Sequence, residues 1–145
     1  MTLQSNLDCK IVIPARYKSS RFEGKPLAPI LGIPMIKRVW SQCIKAASED
    51  NVFVATDSKR INDYCSAEGM RSIMTSENCL TGTDRVFEAL QKLNYKNIDL
   101  IMNLQGDDTL MNLEDIRNLN DQMIKSQSQL GTLASQIKDK ILYEN

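Results

Sequence analysis

Short β-branched apolar runs alternate with amphipathic stretches along this chain, and that alternation restricts its fold more than any other feature. Cys9–Pro14 (CKIVIP) is an apolar run closed by proline and reads as a buried strand. Asn51–Ala55 (NVFVA), Arg71–Thr75 and Asp99–Leu104 (DLIMNL) read as three more strands. Between them lie helical periodicities. Met35, Val39, Trp40, Cys43, Ile44 and Ala47 mark a helix over Pro34–Ala47, with proline near its first turn. Thr56-Asp57-Ser58 forms a turn and cap for a second helix that runs to about Ala67, and Gly69 is its stop. Thr83–Leu93 is predicted helical with Val86, Phe87, Leu90 and Leu93 on one face, Leu113–Lys125 is another helix, and Gly131–Ile137 is expected to open a further strand. Strand and helix in alternation imply parallel βαβ units under right-handed crossovers, with helices on both faces of the sheet. The expectation is a three-layer α/β/α fold with a mostly parallel sheet, forming one domain over residues 1–145.

Binding sites in open α/β sheets lie beyond the carboxyl ends of the strands. Two polar loops, Ala15–Lys25 and Gln105–Thr109, each follow a predicted strand and belong on one rim. The stretch from Ala15 to Ile33 is long for a connection in a compact domain, which points to function. Arg16, Lys18, Arg21 and Lys25 place four cations within ten residues of it. A triphosphate carries roughly four negative charges and needs several cations, hydroxyls and exposed backbone N–H groups in one concave loop. Arg16, Arg21 and Lys25 supply charge, Ser19 and Ser20 supply small donors, and Gly24 leaves Lys25 room to turn inward. The loop is not a Walker motif, because Pro26 stands where Ser or Thr is required and Ser19 where the first glycine belongs. A solvated basic loop accounts for the same residues, and both readings stand at this point.

Two further runs carry chemistry. In Leu104-Gln105-Gly106-Asp107-Asp108, a carboxylate after a strand and a glycine is placed to hold a hard cation. Magnesium accepts one or two carboxylates plus phosphate oxygens and water. Adjacent acids in extended chain alternate sides, so one of Asp107 and Asp108 points inward. A plain Gly-Asp-Asp turn is the alternative. Thr81-Gly82-Thr83-Asp84-Arg85 opens a helix, where exposed backbone groups suit a base or ribose edge. It is equally a helix N-cap, with Asp84 favouring the dipole, and both roles can coexist.

Composition removes several function classes. Histidine is absent, which excludes Ser-His-Asp and Cys-His machinery in these 145 residues. Lys plus Arg and Asp plus Glu are 18 each, so a general binder of nucleic acid or acidic membrane is not expected. None of Cys9, Cys43, Cys65 and Cys79 forms a C-x-x-C pair, which argues against zinc and fits free thiols in a reducing cytoplasm. No apolar run approaches the roughly 20 residues that cross a bilayer.

Ile13-Pro14-Ala15-Arg16-Tyr17, with Ser19, Arg21 and Gly24-Lys25-Pro26-Leu27, resembles the opening signature of the 3-deoxy-manno-octulosonate (KDO) cytidylyltransferases. Val54-Ala55-Thr56-Asp57, Met74-Thr75-Ser76, Thr81–Arg85 and Gln105-Gly106-Asp107 are similar to that family's later signatures. The resemblance implies a nucleotide-diphospho-sugar transferase (glycosyltransferase-A-like) fold, incomplete at the carboxyl end. It implies transfer of CMP from CTP to the anomeric hydroxyl of KDO, for lipopolysaccharide-type glycan synthesis, with magnesium as cofactor. By the same resemblance, Ala15, Arg16, Ser19, Arg21, Lys25, Met74, Thr75, Thr81, Gly82 and Arg85 bind nucleotide. Gln105 approaches the acidic sugar, Asp107 binds magnesium, and Arg16, Lys25 and Asp107 form the catalytic set. Complete members continue further, supply a late aspartate for the metals and form homodimers, so weak or no turnover is expected of these 145 residues alone. The chain departs from the pattern at Phe22-Glu23 (usually Leu-Pro), Cys79 (His), Leu80 (Pro), Asp108 (Glu) and Thr109 (Pro). A cytidylyltransferase for another acidic sugar such as a sialic acid, a non-catalytic nucleotide-binding paralogue and a structural assembly domain are the alternatives.

Overall fold

The computed structural model describes residues 9–93, 98 and 100–134. Its centre is the strand β1 (Lys10–Ala15), whose last five residues are all buried. A strand buried on both faces needs neighbours on both edges and helices above and below, and β1 has them. The hairpin strands β2 (Pro29–Ile30) and β3 (Ile33–Pro34) follow, then α1 (Met35–Ala46), β4 (Val52–Thr56), α2 (Lys59–Ala67) and β5 (Ser72–Met74). The chain continues through α3 (Gly82–Leu93), β6 (Ile101–Asn103) and α4 (Leu113–Ser126).

The main sheet has the order β5-β4-β1-β6 and every pairing in it is parallel. β1 pairs with β4 from Ile11↔Val52 to Ala15↔Thr56, and with β6 from Lys10↔Ile101 to Val12↔Asn103. The first two crossovers step away from β1 in one direction. The connection through α3 reverses, to reach the other edge of β1. Right-handed crossovers in opposite directions must lie on opposite faces of a sheet. Side-chain alternation records the result. Ile11, Ile13, Val52 and Val54 face a core with Ile36, Val39, Trp40 and Cys43 of α1, Ile61 and Cys65 of α2, and Ile116 of α4. Val12 and Ala55 face Val86 and Ala89 of α3. The three layers expected from the sequence are present.

The predicted elements hold with small shifts at their ends, and three expectations need correction. The segment from Ala15 to Ile33 is not all loop: it contains a 3-10 turn over Lys25–Leu27 and the first strand of the hairpin. On α3, Phe87 is 63% exposed and the buried face runs through Arg85, Val86 and Ala89 instead. Phe87 lies about 100° round the helix from Val86, on the solvent side. Residues 131–134 of the strand expected at Gly131–Ile137 form no regular element, and 135–137, like Asp99 at the start of the fourth predicted strand, lie outside the described residues.

The hairpin turns through Leu31 and Gly32, both with positive φ (49° and 79°). A two-residue turn of this kind favours Asn-Gly, because left-handed backbone disfavours a branched side chain. Leu31 accepts that conformation while 93% exposed, so packing returns little for it. Leu31→Asn is expected to raise stability by about 0.5–1 kcal/mol, read as a higher urea midpoint at unchanged m.

Candidate functional site

Because the strand order reverses at β1, the crevice between the carboxyl ends of β1 and β6 is the topological switch point, the usual ligand position in an open α/β sheet. Both polar loops singled out in the sequence start there, Arg16 directly after β1 and Leu104 directly after β6. Gly106 holds the second loop against the first strand. A Cβ at Gly106 would stand 3.1 Å from the Pro14 carbonyl oxygen, so a larger residue would push the following acids away from β1. The basic loop closes on itself through the Gly24 N–H, which donates to the Tyr17 carbonyl at 2.8 Å. The Arg60 guanidinium donates to the Tyr17 hydroxyl at 2.8 Å and sits 5.1 Å from the ring centroid.

The two loops meet through Lys25, whose Nζ donates to Asp107 Oδ2 at 2.7 Å. This bond, with a further contribution from the Arg21 charge, holds the Asp107 carboxyl below its ordinary range. Partial burial and the adjacent Asp107 charge push Asp108 the other way. Asp108 borders a different hollow, between β6 and α4. The chain is not extended here: Gly106 and Asp107 are the centre of a turn closed by the Asp108 N–H, which donates to the Gln105 carbonyl at 3.1 Å, and that turn separates the two acids. Among the described residues there is no group of three or more His, Cys, Asp or Glu that could hold a metal. Asp107 is an ionised, half-exposed carboxylate beside the basic loop. It fits an ion that takes one protein carboxylate and fills its remaining positions with phosphate and water.

A second cluster lies beside it. Arg85, in the first turn of α3, is only 2% exposed. Its Nη2 donates to Asp57 Oδ2 at 2.9 Å, and its Nη1 to Thr75 Oγ1 at 2.5 Å and the Ser76 carbonyl at 3.4 Å. Thr81 and Asp84 form a reciprocal cap at the start of that helix. The Thr81 N–H donates to Asp84 Oδ2 at 2.9 Å, and the Asp84 N–H donates to Thr81 Oγ1 at 3.1 Å. A small cavity of about 100 Å³ opens here, lined by Ala15, Arg16, Thr81, Gly82, Arg85 and Gln105, with Pro14 and Cys79. The Cys79 thiol donates to Glu88 at 3.1 Å, and Glu88 also accepts from the Ser76 N–H at 2.8 Å. Those bonds, with Lys92 the strongest contributor, lower the Glu88 carboxyl to about 2.

Most of the residues expected to bind nucleotide therefore converge in two adjoining groups. Ala15, Arg16, Thr81, Gly82, Arg85 and Gln105 wall the cavity, and Lys25 and Asp107 join beside it under the field of Arg21. Ser19 is exposed, and its hydroxyl accepts from the Phe22 N–H at 3.5 Å within the loop. Thr75 is buried with its hydroxyl committed to Arg85. The Met74 carbonyl accepts from Lys92. The cap after β4 is Ser58, whose hydroxyl accepts from the Ile61 N–H; Asp57 turns instead to Arg85. No local pattern in the sequence announces that pairing, because the partners are 28 positions apart. Gln105 borders both the small cavity and the larger hollow beside β6, which spans about 990 Å³ and is walled largely by apolar side chains such as Met102, Met111 and Met123.

A family model described as cytidylyltransferase matches residues 10–145. The 3-deoxy-manno-octulosonate cytidylyltransferase of Zea mays is 52% identical over 103 residues, which are 71% of this chain and 34% of that protein. The 8-amino-3,8-dideoxy-manno-octulosonate cytidylyltransferase of Shewanella frigidimarina is 42% identical over 133 residues, 90% of this chain and 54% of that protein. Among solved structures, CMP:2-keto-3-deoxy-manno-octonic acid synthetase complexed with CTP aligns at a TM-score of 0.76 and 38% identity, covering 83% of this chain and 48% of its own. A cytidylyltransferase from Leptospira borgpetersenii, 23% identical, shares the fold at a TM-score of 0.69, over 84% of this chain and 51% of its own. The chain spans from about a third to just over a half of the length of these relatives.

Proposed function

This chain belongs to the cytidylyltransferase family, and from that premise we propose that it serves the transfer of CMP from CTP to the anomeric hydroxyl of KDO. One observation carries the reading: the Lys25–Asp107 contact joins the basic loop and the acidic loop at the switch point of the sheet. In this reading the sugar hydroxyl forms a bond to the α-phosphorus and loses its proton, and the bond from that phosphorus to the bridging oxygen breaks. The electron pair leaves with pyrophosphate. Arg16, Arg21 and Lys25 neutralise charge on the departing phosphates, and fixed orientation supplies much of the remaining acceleration. Asp107 would hold magnesium, which polarises phosphate oxygens when bound. Gln105, at the border of the nucleotide cavity, would meet the sugar. The role fits synthesis of lipopolysaccharide-type glycans. Among the described residues no helix is long and apolar enough to cross a membrane.

The relatives named for the 8-amino sugar favour a second reading, in which the acceptor carries an amine at C8. Thermal-shift titration with CTP, UTP, GTP and ATP, each with and without magnesium, tests the shared core of both readings. CTP with magnesium is expected to give the largest shift. Equal shifts with all four nucleotides, or none, would sink the assignment. Competition of bound CTP by KDO and by its 8-amino analogue then separates the two acceptors.

A further inference from the structure

We propose that Asp57 is a positioning residue of the nucleotide site, acting through Arg85; the inference rests on the cytidylyltransferase reading above. Asp57 follows β4 and is not part of the cavity wall, whereas Arg85 is. The carboxylate stands behind the guanidinium with a side-chain exposure of 16%, against 3% for Arg85. Arginine is planar, with its five N–H donors in a fixed fork, so fixing the two terminal nitrogens fixes the whole plane. Here Asp57 Oδ2 takes Nη2 while Thr75 Oγ1 and the Ser76 carbonyl take Nη1. Both anchors are themselves held by the sheet. The Thr75 N–H donates to the Thr56 carbonyl at 2.8 Å, and Thr56 Oγ1 accepts from the Ser58 N–H on the far side of Asp57.

The counter-charge matters as much as the geometry. A guanidinium this buried without a carboxylate partner turns toward solvent or draws water in, because an uncompensated charge is costly in such surroundings. The first moves it off the cavity wall, and the second puts water where a ligand would sit. With Asp57 in place the pair is locally neutral, so Arg85 gives a ligand directional N–H groups, while Arg16 and Arg21 supply net positive charge. Asp57 thereby sets where one wall of the nucleotide cavity stands, from a position one residue behind it.

A double-mutant cycle tests this, with CTP affinity by calorimetry and thermal midpoint both recorded for wild type, Asp57→Asn, Arg85→Met and the double variant. Asp57→Asn keeps shape and one acceptor but removes the charge. Each single change is expected to weaken CTP binding about tenfold, and the double variant is expected to bind no worse than the weaker single one. A purely structural Asp57 would lower the midpoint while leaving CTP affinity of the folded protein unchanged, and that result overturns the proposal. So do losses that multiply in the double variant. If Asp57→Asn does not fold, Thr75→Val, which removes the other anchor, is expected to weaken CTP binding several-fold; unaltered affinity there counts against the proposal equally. Absence of CTP binding by wild type overturns the reading of the site and this inference with it. Equal binding by wild type and Asp57→Asn overturns this inference alone.

Discussion

Asp107→Asn is expected to abolish the magnesium-dependent part of CTP binding proposed above while leaving the fold intact. Among the described residues Asp107 is the one acid in contact with the basic loop's Lys25, at 2.7 Å. Removing even a partner that stands behind a metal ligand costs about ten- to hundredfold in affinity, and removing the ligand itself costs at least as much. The ratio of CTP dissociation constants without and with magnesium is therefore expected to fall at least about tenfold in the variant, toward one. The fold survives because the Lys25–Asp107 pair is exposed, 40% and 55% at its side chains. Such pairs contribute at most about 1 kcal/mol. The pH behaviour follows the same contact. Lys25 lowers the Asp107 carboxyl in the folded state, so the small stability it gives is complete above the unfolded carboxylate range near pH 4 and is lost as pH falls through the lower folded value. At neutral pH the carboxylate is charged and ready for a cation. A variant that retained full magnesium dependence would remove Asp107 from the proposed ligand set.

Ile13→Ala is expected to cost about 3 kcal/mol of stability, within a range of about 2–5. Ile13 is fully buried in the central strand and faces the larger core, with α1, α2 and α4 behind it. The neighbouring elements are fixed on both edges by β4 and β6, so the space left by the lost methyl groups closes poorly. A melting midpoint lower by roughly 10 °C is expected for a chain of this size. Val12 is buried as completely but faces α3, where four residues form the buried cluster; truncation there has fewer packed neighbours to disturb. Calorimetric scans of the two alanine variants check the ranking, and equal midpoints would contradict the two-sided account of the core.

The strands β1 and β4 were legible in the sequence because each has a core of consecutive β-branched or apolar residues, Ile11-Val12-Ile13 and Val52-Phe53-Val54, and the run ends at a proline or a polar turn. The helices α1 and α4 were legible because their apolar positions repeat at helical spacing. The hairpin was not, for a physical reason. Strands of two residues show no periodicity, and Leu31 occupies a left-handed position that normally advertises itself with asparagine or glycine. The four apolar residues expected on one face of α3 span a wider arc than the face it buries, so Phe87, next to Val86, falls on the solvent side. Within the site, Lys25 and Asp107 were foreseeable from two loops sharing a rim. The partnership of Asp57 with Arg85 was not, since the local pattern Thr-Asp-Ser describes a cap and fits Ser58 equally well.

The two sides of the cavity are built with unequal rigidity. On one side, a single guanidinium ties the ends of β4 and β5 to the first turn of α3, and a reciprocal cap seals that helix. On the other, the loop from Arg16 to Gly24 is held by one backbone hydrogen bond to Tyr17, by Arg60 on the Tyr17 ring, by a long Ser19–Phe22 bond and by the exposed Lys18–Glu77 pair. Local opening costs least where backbone is exposed and few bonds cross it. The ordering entropy of capturing a polyphosphate therefore falls on the loop, and the amide protons expected to exchange more slowly once the ligand is held are those of 16–24.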